Sequence, residues 1–107
     1  MDTLTEIVRQ EVSAYASNGR GANILLFPLL DDDNAIYAVN AVDYPTRHDV
    51  ALVVVLVRIV GDVVVIEEDT TDKKLVDALV QRGISRSKIV LAYLGEPLPD
   101  AEKFELS

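Results

Sequence analysis

The densest group of side chains that could do chemistry is acidic and follows the most valine-rich stretch of the chain. Within it, Asp72-Lys73-Lys74 has the carboxylate-x-Lys spacing of metal-dependent nucleases, in which carboxylates hold the metal that stabilises displacement at phosphorus. A metal-dependent hydrolase would use Glu68, Asp69 and Asp72. The same residues open a predicted helix, where the helix dipole favours acidic side chains. Because a helix start explains them without catalysis, we favour that interpretation over a hydrolase.

The other candidate ligands and bases have less informative spacing. Asp31, Asp32 and Asp33 are consecutive, whereas calcium loops alternate their ligands and carry a glycine at the turn. We interpret these three residues as a hairpin tip. The single histidine, His48, lies in a polar connection without a paired nucleophile. The chain has no cysteine and no P-loop, GxGxxG, GxSxG or HExxH motif, so we predict no catalytic residue, no metal site and no cofactor.

Charge limits the classes of partner. The chain has 107 residues and a formal net charge of -8, and its 10 lysines and arginines are scattered along the sequence. Such a chain would be repelled by phosphate backbones, so we expect no direct binding to nucleic acid. No apolar run is long enough to span a membrane, and the N-terminus does not resemble a signal peptide. A cytoplasmic protein is therefore expected.

The valine-rich stretch organises the fold. It is predicted to form two β-branched strands joined at Gly61-Asp62, a two-residue hairpin turn in which glycine supplies a positive φ. This turn would pair Val60 with Val63, Arg58 with Val65, and Leu56 with Glu67. One face of the hairpin is wholly apolar and is predicted to join the core: Val53, Val55, Val57, Ile59, Val64 and Ile66. The second face carries Arg58 and Glu67 among further apolar residues, and it is predicted to contact another chain.

The remaining segments complete an α+β domain. Helical periodicity and a Thr3–Glu6 capping box predict a helix over residues 3–17. Strands are predicted over 23–30 and 35–43, and Pro28 indicates an edge strand or a bulge. A second helix is predicted over 71–82, and a short apolar extended segment over 89–93. Consecutive strands with brief turns favour a four-stranded antiparallel meander with the N-terminal and C-terminal helices on one face. We expect residues 1–107 to form a single domain.

Two motifs in the C-terminal half carry a resemblance. The first is Asp69-Thr70-Thr71-Asp72 and the second is Lys88-Ile89-Val90-Leu91-Ala92-Tyr93. They resemble the Asp-Gly-Thr-Glu and Asp-Ile-Val-Leu-Gly-Phe segments of the XisI-like family, the fdxN element excision controlling factors. Length and element order are also similar across nearly the whole chain.

The resemblance implies a non-enzymatic accessory protein that acts in programmed excision of a DNA element. It also implies a companion, a nuclease-like protein of the XisH type. Candidate contact residues are Arg58 and Glu67 on the second sheet face, and Arg82 and Arg86, the one pair of arginines close together near a helix end. A homodimer through the same face is an alternative. A second alternative is an antitoxin or immunity-type inhibitor, in which acidic charge blocks a basic nuclease.

Overall fold

The computed structural model describes residues 3–18, 24–43 and 51–100. Their elements follow the predicted order: helix α1 (Leu4–Asn18), strands β1 (Ile24–Asp31), β2 (Ile36–Asp43), β3 (Leu52–Val60) and β4 (Val63–Asp69), helix α2 (Leu75–Gln81), and strand β5 (Ile89–Leu91). Short 3₁₀ turns precede and follow β5. The predicted connection around His48 lies outside the described residues. Within the described part, no helix has the length and apolar character needed to cross a membrane.

The sheet has the strand order β1-β2-β3-β4-β5. Its first four strands form the predicted antiparallel meander, and β1 lies at the edge, as Pro28 indicates. The difference from the prediction is a fifth strand, β5, which pairs in parallel with β4. The segment predicted as extended therefore joins the sheet, because α2 carries the chain back beside β4 in the manner of a crossover connection.

The β3–β4 hairpin has the predicted turn and one unpredicted irregularity. Gly61 has a φ of 62°, and the pairs Val60–Val63 and Arg58–Val65 form as expected. Leu56, however, faces Glu68 instead of Glu67, because the register shifts between Leu56 and Val57. Such a bulge adds one residue to one strand and reverses the alternation beyond it. Asp69 is thereby turned toward the helices instead of the second sheet face.

The core lies between the helices and one face of the sheet. Its fully buried side chains come from α1, α2, β2 and the predicted apolar hairpin face: Val8, Val12, Tyr37, Val39, Val55, Val57, Val64, Ile66, Leu75 and Leu79. Val53, predicted to belong here, is 40% exposed. A register shift between Val39 and Asn40 sets Val53 opposite Asn40, and therefore on the second face.

The second face is partly covered by the chain itself. Arg58 forms two hydrogen bonds with Asp100, which brings the C-terminal part of the described chain over the centre of this face. Val65, the cross-strand neighbour of Arg58, is completely buried. The expectation of an open second face therefore holds only where β1, β2 and the start of β3 lie side by side.

Candidate functional site

The acidic motif that dominates the sequence is a structural turn centred on Asp69. This residue is only 4% exposed. Its Oδ2 accepts a hydrogen bond of 2.7 Å from the Leu75 amide, the first of α2, and its Oδ1 accepts one of 2.9 Å from the Thr71 amide. The Thr71 hydroxyl lies 2.6 Å from the same Oδ1. Asp69 therefore satisfies an otherwise unpaired helix amide from outside the helix, and α2 begins at Leu75 instead of the predicted residue 71.

The three carboxylates considered for a hydrolase do not converge. Asp69 is used by the turn, and Glu68 accepts a hydrogen bond of 3.0 Å from the Asp69 amide. Asp72 is exposed beyond them. Across residues 3–18, 24–43 and 51–100, no three acidic or imidazole side chains come together closely enough to hold a metal ion.

A cleft of about 480 Å³ lies between α1 and the turn before α2. Its lining consists of Glu11, Ala14, Tyr15, Thr71, Asp72, Lys73 and Ala78. The Tyr15 hydroxyl donates a hydrogen bond to the carbonyl of Lys73 and so ties α1 to the turn. Burial raises the pKa of Tyr15; a hydrogen bond with Thr71 opposes this increase, and the negative charge of Asp69 adds to it. The tyrosine therefore remains a neutral donor, which suits a structural tie better than acid–base work.

Arg58 and Glu67, two predicted contact residues, form an ion-paired cluster with Asp100. Arg58 Nε lies 2.7 Å from Glu67 Oε2, and Arg58 Nη1 lies 2.8 Å from Asp100 Oδ2. The hydrogen bond to Asp100 is the main reason that the pKa of Arg58 is raised, and the bond to Glu67 adds to it. The Asp100 side chain is 8% exposed, so this cluster is largely shielded from water.

The other two predicted contact residues also have partners within the chain. Arg82 follows α2 and lies 2.6 Å from Glu11 Oε2 and 2.8 Å from Gln10 Oε1, so it joins the two helices. Arg86 donates to the carbonyl of Ile89 at 2.7 Å and to Glu96 at 3.1 Å. The structure does not bring Arg82 and Arg86 together with Arg58 and Glu67 in one site. All four remain predicted contact residues.

An apolar surface lies on the second sheet face. It consists of three exposed side chains, Phe27 (45%), Leu29 (52%) and Val53 (40%). We call these residues, with the partly buried Leu25, Val42 and Leu56 that share their face by register, the β1–β3 apolar patch. A large apolar patch on a protein surface is a common feature of interaction sites.

Asn40 lies at the centre of this patch. Register places it between Phe27 on β1 and Val53 on β3. Its Oδ1 is buried and has no hydrogen-bond donor among the residues that the structure describes. A buried acceptor without a donor is uncommon in folded proteins.

Sequence reasoning did not single out the β1–β3 apolar patch. A signal was present in residues 24–30, ILLFPLL, which are apolar at both odd and even positions. On an edge strand that is covered on one face only, such a pattern must leave one set of side chains uncovered. For Val53 the sequence gives no comparable signal, because its exposure results from the register shift in β2–β3.

The fold and surface define a class of α+β protein: a mixed five-stranded sheet with helices on one face and an apolar patch on the other. The chain belongs to the XisI protein family, whose model matches residues 1–104. The resemblance seen in the two C-terminal motifs is thus confirmed.

Solved structures show the same fold. A XisI-like protein from Anabaena variabilis has 22% identity and a TM-score of 0.72, over 94% of this chain and 91% of that chain. The fdxN element excision controlling factor XisI of the same organism has 19% identity and a TM-score of 0.69, over 91% of this chain and 92% of that chain. None of the curated proteins matches this chain.

Proposed function

We propose that this chain is a non-enzymatic regulatory protein that binds a nuclease-like XisH-type protein in the programmed excision of a DNA element. Membership of the XisI family over residues 1–104 is the observation that carries the proposal, since a structural relative is named an excision controlling factor. In this scheme the chain acts by contact with protein, and a separate recombinase cuts and rejoins the DNA.

The use of the acidic residues supports a role without catalysis. The carboxylate of Asp69, the most buried of the acidic cluster, is engaged by the backbone of the turn before α2. A general base or metal ligand needs lone pairs directed at a substrate or ion. Asp69 directs its lone pairs at the backbone amides of Thr71 and Leu75.

Co-expression with the XisH-type protein encoded in the same genome tests the proposal. We expect the two proteins to elute as one complex in size-exclusion chromatography at micromolar concentrations. Elution as two separate peaks, with both proteins folded by circular dichroism, would remove it. The chain alone should also fail to cleave DNA, since we assign cleavage to other proteins.

A second candidate is an antitoxin or immunity-type inhibitor of a nuclease, which the net charge of -8 favours. An acidic protein associates rapidly with a basic active-site surface. The two functions differ in a growth experiment with the XisH-type protein expressed alone. Toxicity that co-expression of this chain relieves would identify an inhibitor, and normal growth would favour the excision role.

A further inference from the structure

We infer that the β1–β3 apolar patch is the docking surface for the protein partner, and that the partner presents an apolar centre bordered by lysine or arginine side chains. This inference rests on the proposed function and gives it a location. It differs from the sequence-based expectation in position, because Arg58 and Glu67 lie in the part of the face that the chain itself covers.

Within residues 3–18, 24–43 and 51–100, no helix or strand covers this surface. Both helices pack on the opposite face, where Val8, Val12, Leu75 and Leu79 cover the sheet. The second face is closed near Arg58 by the segment that carries Asp100. Phe27, Leu29 and Val53, which lie away from that segment, are the exposed remainder.

Charge at the border of the patch identifies the chemistry of the partner. By register, Asp31 follows Leu29 on the same face of β1, and Glu68 faces Leu56 across β3 and β4. Within the described residues, Glu67 and Asp100 on this face are already paired with Arg58, so Asp31 and Glu68 are the acids that set the charge of the border. A cationic border on the partner would complement them, and like charge would reject an acidic surface or a nucleic acid.

The centre of the patch fits the same kind of partner. Asn40 Oδ1 is an acceptor without a donor in the described structure. Because the chain itself already covers this oxygen, a donor from the partner would reach it only if the side chains around it move on binding. Phe27 is the aromatic anchor that interaction sites commonly contain.

The edge of the sheet is a less suitable place for docking. β1 is the edge strand and Pro28 lies at its centre, so β1 lacks one backbone N–H that a strand added there would need as a donor. We therefore place the contact over the face of the sheet, through side chains, instead of along its edge.

The test is a titration of the purified XisH-type protein with wild-type chain and with paired variants, by isothermal calorimetry. Phe27→Lys combined with Leu29→Lys should weaken binding at least about tenfold, since a charge would replace the anchor. Val80→Lys combined with Leu94→Lys is the matched control, because both residues are apolar and similarly exposed elsewhere. Circular dichroism and urea unfolding establish that both double variants are folded.

The charge argument has its own pair of variants. Glu68→Gln should weaken binding severalfold, and raising NaCl from about 50 mM to about 500 mM should reduce the difference from wild type. Glu6→Gln, an exposed acid on α1 across the sheet, should leave the affinity unchanged. Equal effects of the two substitutions would overturn the assignment of a cationic border.

The outcomes separate this inference from the proposed function. If the double variant Phe27→Lys with Leu29→Lys binds the XisH-type protein as tightly as wild type does, the docking surface is wrong and the proposed function stays in place. Failure of wild type to bind the XisH-type protein overturns the proposed function, and the docking surface with it. If the Lys variants only convert a dimer of this chain into monomers, with the affinity unchanged, the patch serves a second copy and the inference is wrong.

Discussion

Asp69 shows how a residue that looks catalytic can be structural. In sequence it belongs to an acidic run next to lysines, and in the fold it is an acceptor for two amides and one hydroxyl of the following turn. The XisI-like motif that begins at this residue is therefore a device that starts α2. Its chemistry is hydrogen bonding to the backbone.

Replacement of Asp69 should reduce stability strongly. Asp69→Ala removes the acceptor and leaves the Leu75 amide buried without a partner, which should lower the free energy of unfolding by about 2–4 kcal/mol. Asp72→Asn, at an exposed position of the same motif, should change it by less than about 0.5 kcal/mol. Urea denaturation followed by circular dichroism measures both, and similar values for the two variants would contradict the structural role.

Tyr37 provides a pH-dependent prediction. Burial, helped by its hydrogen bond to Asp32, raises the pKa of Tyr37 from 10.0 to about 12. Between these values the unfolded chain binds fewer protons than the folded chain, so stability must fall as the pH rises. Between about pH 9 and about pH 11, wild type should lose about 1 kcal/mol more than Tyr37→Phe.

Comparison with Tyr37→Phe isolates the contribution of Tyr37 to the pH dependence of stability, because the other titrating groups are common to both proteins. Urea unfolding at each pH gives the free energies, and absorbance of the phenolate follows the ionisation itself. Parallel pH profiles for wild type and Tyr37→Phe would show that Tyr37 ionises normally.

At the scale of the elements, the two hairpin turns differ in the residue that adopts a positive φ. The β3–β4 turn uses Gly61 at a φ of 62°, whereas the β1–β2 turn uses Ala35 at a φ of 54°. An L-residue other than glycine is unfavourable in the left-handed region, because its Cβ crowds the backbone. The β1–β2 turn therefore carries backbone strain that the β3–β4 turn avoids.

Substitutions at these two turns should change the free energy of unfolding in opposite directions. Gly61→Ala should lower the free energy of unfolding by about 1 kcal/mol, and Ala35→Gly should raise it by about 0.5 kcal/mol. No neighbouring atom lies within 4 Å of a Cβ built at Gly61, so the cost there reports backbone conformation alone. Thermal and urea unfolding test the pair. The same sign for both variants would contradict this account.

The whole molecule depends on a contact that spans much of the sequence. Arg58 of β3 binds Asp100, 42 residues later, and thereby fixes the C-terminal part of the described chain over the second sheet face. Removing one member of such a shielded pair leaves the other charge without compensation. The pair therefore decides how much of the second face remains exposed.

A double-mutant cycle measures this contact. Arg58→Met should lower the free energy of unfolding by about 3 kcal/mol, because it removes the guanidinium group that both Asp100 and Glu67 contact. Asp100→Asn should cost less, and the two substitutions should show a coupling energy of about 1–3 kcal/mol. Additive effects would mean that the pair does not hold the segment in solution.

Much of the fold could be predicted from local pattern. The turn at Gly61-Asp62, the four-stranded meander and the N-terminal helix follow from residue types and short-range periodicity, and all are found. The fifth strand was missed because three residues, Ile89–Leu91, carry too little pattern to distinguish a strand from another buried segment. Its pairing with β4 depends on where α2 returns the chain.

The candidate site was predicted less well, for a physical reason. Arg58, Glu67, Arg82 and Arg86 stand out in sequence because they are charged, and in the fold each of them forms an ion pair within the chain. The residues left uncovered, Phe27, Leu29 and Val53, are apolar and look like core in a linear reading. They differ from core residues only because both helices pack on the opposite face of the sheet.

The sequence by itself determined the class of fold, the acidic character of the chain and the family resemblance, because all three depend on composition and on spacing within a few residues. The tertiary structure decided which apolar face is covered, where the two register shifts fall, and which charges meet across long distances in the chain. These outcomes depend on how whole strands and helices compete to bury one another, and no local pattern encodes that competition.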